Sequence, residues 1–207
     1  GNVPIPSIAD FSDRDDLMNK TRDQLLSDEH RLIDPATSAL GVTVGSITRY
    51  EEPENPSSIM TVPLSVGKKG YPSAFTRTGE GVNGAIKPEF VDYGGNLTIR
   101  QLGSTDVRWG INRALNEPTL NNSIDRVFKG WQGTSFAAPH ATHIAARLQR
   151  ALYTQLGAEP SANLIRALLA SSAKYIEKDW LEAATPDRIQ RQNKTEARMA
   201  PPVERLW

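Results

Sequence analysis

The sequence predicts an α/β protein in which a parallel sheet is flanked by helices, and three observations support this class. Residues 41–52 (GVTVGSITRYEE) combine β-branched and small residues, as in a strand that is buried on both faces. Two later segments repeat apolar residues at helical spacing, and the stretch between is rich in proline and glycine. With 207 residues, of which 38% are hydrophobic, the chain can form one such domain or most of a larger one.

The composition argues against several classes of function. Lys and Arg together number 24, as do Asp and Glu, so the net charge is zero and we expect no nucleic-acid or membrane partner. The sequence has no cysteine, which excludes a disulfide framework and a thiolate metal site. It also has no Walker-type phosphate loop (GxxxxGK[ST]), so a nucleotide-binding protein is not favoured. We expect neither a metal nor a cofactor.

The first predicted helix covers residues 11–26 (FSDRDDLMNKTRDQLL). Ser12 and Asp15 have the spacing of a capping box at its start. One narrow apolar stripe follows at helical spacing: Leu17, Thr21 and Leu25. Because the stripe is narrow, we expect a helix at the surface.

Loops and turns are predicted for most of residues 53–96, after the buried strand. This stretch contains PENPSS, GKKGYPS and DYGGN, which are clusters of turn-forming residues, with one short strand expected at residues 87–91. Loops around a rigid sheet often carry binding residues, although a solvated connection is the common alternative.

Two further helices are predicted at residues 136–156 and 161–172, the second with Ser161 as its N-cap. The apolar face of the first contains Ala141, Ile144, Ala145, Leu148 and Leu152, and that of the second Leu164, Ile165, Leu168 and Leu169. Beyond them the sequence is polar and weakly periodic. We therefore predict one domain over residues 1–176 and a polar arm or peripheral segment over residues 177–207.

Ser135 stands at the start of the predicted helix, directly after Gly133 and Thr134. The first amides of a helix have no internal acceptor and carry the positive end of the helix dipole, which favours negative charge developing nearby. A serine in this place has an exposed hydroxyl and suits the formation of an oxyanion. An ordinary helix N-cap is the alternative for a serine at a helix start.

The complete segment GTSFAAPHATHIAARL resembles the nucleophile motif of the subtilisin-like serine proteases (subtilases). That motif has Gly-Thr-Ser, a bulky residue, two small residues, then Pro and His. Three other segments resemble subtilase blocks in the same order: DPATSALGVTVGSI, SAFTRTGEGVNGAIKPEFVDYGGN and NLIRALLASSA. The resemblance therefore covers residues 1–173.

The resemblance implies hydrolysis of peptide bonds in protein or peptide substrates by a Ser-His-Asp triad, with Ser135 as the nucleophile. Asn2 in GNVP matches the asparagine whose amide donates to the oxyanion, unless this match of Gly and Asn is accidental. Gly1, Pro35 and Ala36 match positions that line one side of the substrate pocket.

The aspartate and histidine motifs of the family are absent. Neither His30 nor the pair His140 and His143 has the expected surroundings; we expect His30 at the surface and His140 packed against neighbours. The resemblance thus implies the C-terminal part of a catalytic domain, inactive alone, whose partner is the missing N-terminal part with the Asp and His. A catalytically inactive fragment acting as an interaction module is the alternative, and a cytoplasmic location is favoured over secretion.

Overall fold

The computed structural model describes Asn2, Ile8 and residues 10–51, 64–102, 106–175 and 203–204. Helices and both parallel and antiparallel strands occur together, which confirms the predicted α/β class. The three α-helices of this described part are α1 Arg14–Leu25, α2 Thr134–Leu156 and α3 Ala162–Ser172. The strands are β1 Val44–Ile47, β2 Leu64–Ser65, β3 Gly79–Glu80, β4 Ile86–Lys87, β5 Phe90–Tyr93, β6 Thr98–Leu102, β7 Asp106–Gly110, β8 Glu117–Ser123, β9 Arg126–Trp131, β10 Lys174–Tyr175 and β11 Val203–Glu204.

A parallel pair of strands, β1 and β5, supports the long helix α2. The register runs from Val44 opposite Phe90 to Ile47 opposite Tyr93, and α2 packs against both strands. Ile47 and Val91 are buried in this layer. The parallel strand predicted from residues 41–52 is therefore confirmed, while the short strand expected at residues 87–91 is divided between β4 and β5.

Antiparallel hairpins make up much of the chain between β5 and α2. Strand β6 pairs with both β2 and β7, and β8 pairs with β9. The β8–β9 hairpin leads directly into the start of α2 and carries exposed apolar side chains, among them Leu120, Ile124 and Phe128. Short turns of 3-10 helix connect other parts, at Asp28–His30, Val82–Gly84 and Arg113–Leu115.

An apolar cluster lies where α1 packs beside β6 and β7. Its members are Ile8, Phe11, Leu17, Val66, Ala74, Phe75, Leu97 and Ile99. The predicted stripe of α1 is buried, with Leu17 wholly inaccessible, while Asp15, Asn19 and Asp23 on the other faces are exposed. This agrees with the expectation of a surface helix that buries one narrow stripe. Its cap is Asp13 rather than Ser12, because the Asp13 side chain accepts from the Asp16 N–H at 2.9 Å.

The two later helices follow the sequence prediction closely. Ser161 caps α3, and its hydroxyl accepts from the Leu164 N–H at 3.2 Å. The predicted apolar face of α2 is its half-buried face. No helix within the described residues is long and apolar enough to cross a membrane. Most of the predicted arm, at residues 177–202 and 205–207, lies outside the described residues, so the division into 1–176 and 177–207 stays a prediction.

Candidate functional site

The residues that precede α2 form a tight turn, here called the serine turn (residues 132–135). Gly133 has φ of 148°, a conformation that strains residues with a side chain, and a Cβ there would lie 3.0 Å from Asn2 Nδ2. The Gly133 N–H donates to the Gly94 carbonyl at 2.8 Å, which fixes the turn to the end of β5. Ser135 follows in the first turn of α2 and is exposed.

Asn2 is bound to the serine turn through its side-chain oxygen. Asn2 Oδ1 accepts from the Thr134 N–H at 2.8 Å and from the Thr134 hydroxyl at 2.9 Å. Since Thr134 occupies the oxygen, the amide group Nδ2 is left to act as a donor. The structure thus brings together Asn2 and Ser135, two of the residues that the sequence singled out.

Two buried serines, Ser46 and Ser73, lie beside Gly94 and Gly95, the segment to which the serine turn is hydrogen-bonded. Ser73 Oγ donates to the Gly95 carbonyl at 2.8 Å and lies 2.8 Å from Ser46 Oγ. Because the single proton of Ser73 goes to Gly95, the hydroxyl of Ser46 is the donor between the two serines. Gly94 has no room for a side chain, since a Cβ would overlap Ser46 Oγ and approach the Gly133 carbonyl.

Two buried asparagines extend this support. Asn96 donates through Nδ2 to the Gly67 carbonyl at 2.8 Å and accepts at Oδ1 from the Gly67 N–H at 3.2 Å. The Asn96 N–H donates to Asn116 Oδ1 at 3.1 Å. We call Ser46, Ser73, Asn96 and Asn116 the polar floor. Sequence reasoning missed it, because DYGGN was interpreted only as a turn.

A carboxylate and an imidazole meet between β5 and α2. Asp92, at the end of β5, is 2% exposed, and its Oδ1 accepts from the Tyr93 N–H at 2.6 Å. His140 Nδ1 lies 3.8 Å from the same oxygen. The His140 side chain is 39% exposed and only its Nδ1 side is buried, so the expectation that the ring packs against neighbours holds only for that side.

His30 is buried, and the expectation that it lies at the surface was wrong. It is 4% exposed, because the 3-10 turn after α1 directs the ring inward, where Nδ1 lies 3.3 Å from Ser27 Oγ. Burial, with the nearby charge of Arg77, lowers the pKa of His30 below its ordinary value. His143 is exposed, and no hydrogen bond joins any of the chain's three histidines to Ser135.

The proposed pocket residues belong to the segment before β1. Pro35 is exposed and Ala36 is half-buried, and the Ala36 carbonyl accepts from the Thr43 hydroxyl at 2.7 Å. These contacts hold the segment against the start of the β1 strand, and they do not join it to the serine turn. Gly1 lies outside the described residues.

Comparison with protein families shows to which family the chain belongs. Residues 25–197 match the model of the subtilase family, Peptidase_S8. The chain belongs to the subtilase family. The matched range includes Ser135, Pro35 and Ala36, whereas Asn2 lies outside it. The protease class that the GTSFAAPHATHIAARL segment suggested is therefore confirmed at the level of the family.

One curated relative of this subtilase chain comes from Sinorhizobium fredii (strain NBRC 101917 / NGR234). That protein, called uncharacterized protein y4bN, is 35% identical over 156 residues, which is 73% of this chain and 34% of the relative. The chain thus spans about a third of the length of that relative. No solved structure gave a significant match.

The chemistry available at this site follows from its geometry. An exposed hydroxyl stands in the first turn of a long helix, where amide groups have no internal acceptor. A side-chain amide is bound to the neighbouring threonine. This site therefore combines an exposed hydroxyl with hydrogen-bond donors, and it lacks a histidine hydrogen-bonded to Ser135 within the described residues.

Proposed function

We propose that this chain carries the nucleophile and the oxyanion donors of a subtilisin-type serine endopeptidase. Ser135 is the nucleophile, and the Ser135 N–H and Asn2 Nδ2 are the two donors. The observation that carries the proposal is the pair of hydrogen bonds from Thr134 to Asn2 Oδ1, because they occupy the oxygen and hold the Asn2 side chain beside the serine turn.

The reaction begins when Ser135 Oγ attacks the carbonyl carbon of the scissile peptide bond. The Ser135 proton passes to a histidine, and the carbonyl oxygen becomes negatively charged. The start of α2 stabilises this charge with the Ser135 N–H and with the helix dipole. Asn2 adds a neutral donor that needs no reorganisation, since Thr134 already fixes its orientation.

The histidine and the aspartate of the triad come from residues outside this chain in this proposal. His30 is buried beside Ser27, and His140 lies against Asp92, so neither is placed to accept the Ser135 proton. The greater length of the Sinorhizobium fredii relative supports the existence of a longer protein. The N-terminal part that carries the two residues is thus the partner of this chain, which alone is inactive.

The substrates in this proposal are proteins or peptides. Pro35 and Ala36, together with Gly1, form one side of the pocket for the residue that precedes the cleaved bond. The hydrogen bond from Thr43 supports this role for Ala36, because it fixes the segment to β1 and so to the sheet that holds α2.

A fluorophosphonate serine-hydrolase probe tests the proposal. The probe is applied to the complete natural protein and to this chain alone, and the labelled residue is located by peptide mapping. We expect labelling of Ser135 in the complete protein, little labelling in the isolated chain, and none in Ser135→Ala. A complete, folded protein that is not labelled at Ser135 contradicts the proposal and supports an inactive interaction module.

A further inference from the structure

The serine turn is attached to β5 on one side of Ser135 by a backbone hydrogen bond. The Gly133 N–H donates to the Gly94 carbonyl, two residues before Ser135. Gly94 is held in turn by the packing of Ser46 beneath it. This attachment fixes where the turn begins, but it does not fix the direction in which α2 leaves it.

Few interactions within α2 itself fix the orientation of its first turns. Its N-cap residue is Gly133, which has no side chain to cap the helix. Pro139 lies inside the helix and has no N–H, so it cannot donate to the Ser135 carbonyl as a residue four positions later normally does. The first turns of α2 therefore depend on contacts with Asn2 and with the sheet.

His140 provides such a contact on the other side of Ser135. Its Nδ1 is buried and has no hydrogen-bond partner, and Asp92 Oδ1 lies 3.8 Å away. A buried ring nitrogen without a partner is costly, and a rotation that brings the two atoms about 1 Å closer makes a charge-assisted hydrogen bond. Asp92 is itself 2% exposed and lies two residues before Gly94.

We infer that Asp92, acting through His140, is a positioning residue for Ser135. The segment from Asp92 to Gly94 holds the helix start at two points, before Ser135 through Gly133 and after it through His140. Two points define a direction, so the pair keeps the Ser135 hydroxyl and N–H in a constant relation to Asn2. This inference rests on the proposed function, since it assigns Asp92 a part in the reactivity of Ser135.

Four variants of the complete natural protein test the inference. Asp92→Asn keeps the acceptor for Tyr93 but removes the charge, and His140→Leu removes the ring nitrogens. His140→Asn restores an amide donor near the place of Nδ1. His143→Leu is the matched control, because His143 is an exposed histidine on the same helix.

Two measurements are made on each variant. Fluorophosphonate labelling is separated into the binding constant of the probe and the rate constant of inactivation. Amide hydrogen exchange compares residues 134–140 with α3, which reports on loosening of the helix start whether or not the protein is catalytic.

We expect Asp92→Asn and His140→Leu to lower the inactivation rate constant roughly 10- to 100-fold with an unchanged binding constant. Exchange should rise in residues 134–140 and not in α3. His140→Asn should recover much of the rate, and His143→Leu should behave as wild type. Wild-type rates in the first two variants, or an equal rise of exchange in α3, would overturn the inference.

A complete protein in which Ser135 is never labelled refutes the proposed function rather than this inference. The exchange measurement then decides alone. A rise confined to residues 134–140 in Asp92→Asn supports the two-point attachment, and unchanged exchange there overturns it.

Discussion

The apolar cluster and the polar floor are both buried, but they restrict the fold in different ways. The apolar cluster packs α1 against β6 and β7 through side chains such as Leu17 and Ile99, whose attraction has no preferred direction. The polar floor instead binds particular carbonyl and amide groups, as Ser73 does at Gly95. The first region therefore supplies stability, whereas the second fixes the positions of atoms near Ser135.

This comparison predicts that mutations in the two regions separate into effects on stability and effects on turnover. Mutation of Ser135 in the serine turn should affect turnover and not stability, since Ser135 is exposed and takes part in little packing. Mutation of Leu17 should affect stability and not turnover, since Leu17 is fully buried and belongs to the apolar cluster.

The largest effect is expected for Ser135→Ala in the complete protein. Peptide hydrolysis should fall roughly 10⁴- to 10⁶-fold, because the nucleophile is removed. The midpoint of thermal unfolding should change little, since the hydroxyl is exposed. Peptidase assays and calorimetry check both statements. Retained hydrolysis would remove Ser135 from the nucleophile assignment.

Asn2→Ala should lower kcat by about 10²–10³ and leave KM nearly unchanged, because the lost hydrogen bond forms mainly in the transition state. Asn122→Ala, at an exposed position of the β8–β9 hairpin, is the matched control and should not change either constant. Steady-state kinetics on a peptide substrate measure the difference. An unchanged kcat in Asn2→Ala would exclude the oxyanion role.

Leu17→Ala should destabilise the protein by about 2–5 kcal/mol, through lost burial and the cavity left behind. Denaturant unfolding measures this cost. The kcat of the folded fraction should equal that of wild type, because the apolar cluster includes no residue of the serine turn. A lower kcat at full occupancy of the folded state would break the distinction between the two regions.

Ser73→Ala, unlike Leu17→Ala, should lower kcat as well as the free energy of unfolding. Removing the hydroxyl leaves the Gly95 carbonyl and Ser46 Oγ without this partner, at a cost of about 1–3 kcal/mol. Because Gly95 adjoins Gly94, which binds Gly133, kcat should fall while KM is preserved. The same kinetic and unfolding measurements apply. A loss of stability with an unchanged kcat would show that the polar floor contributes to packing and not to the position of Ser135.

The smallest expected effect is the contribution of His30 to the pH dependence of stability. Burial lowers the pKa of His30 in the folded state, so the unfolded chain binds the proton more readily. The stability that depends on a neutral His30 is therefore fully present above the ordinary histidine pKa of about 6.5. It is lost as the pH falls from there towards the lowered pKa of the folded state. Unfolding midpoints between pH 7.5 and 5.5 should fall more in wild type than in His30→Gln. His143→Gln, at an exposed site, should keep the wild-type dependence.

The sequence predicted those elements whose information is local. Helix α3 has a regular apolar period and a serine cap, and β1 has a run of β-branched and small residues. The serine motif likewise lies within one continuous segment. These features can be interpreted without knowledge of the rest of the chain.

The features that the sequence did not predict depend on distant partners. Ser46 and Ser73 are 27 residues apart and follow no local pattern that marks them as a pair. His30 is buried because a short 3-10 turn redirects the chain after α1, and nothing in DEHRL signals that direction. Asp92 similarly acquires its place only when β5 meets α2.

The contact between Asn2 and Thr134 joins residues that are 132 positions apart. Contacts of such sequence separation form late in folding, because the entropy of closing the loop must first be offset by the structure in between. A ribosome delivers Asn2 before Thr134, so the two can meet only after the intervening residues have been made. We therefore expect the proposed oxyanion site to be assembled late in folding.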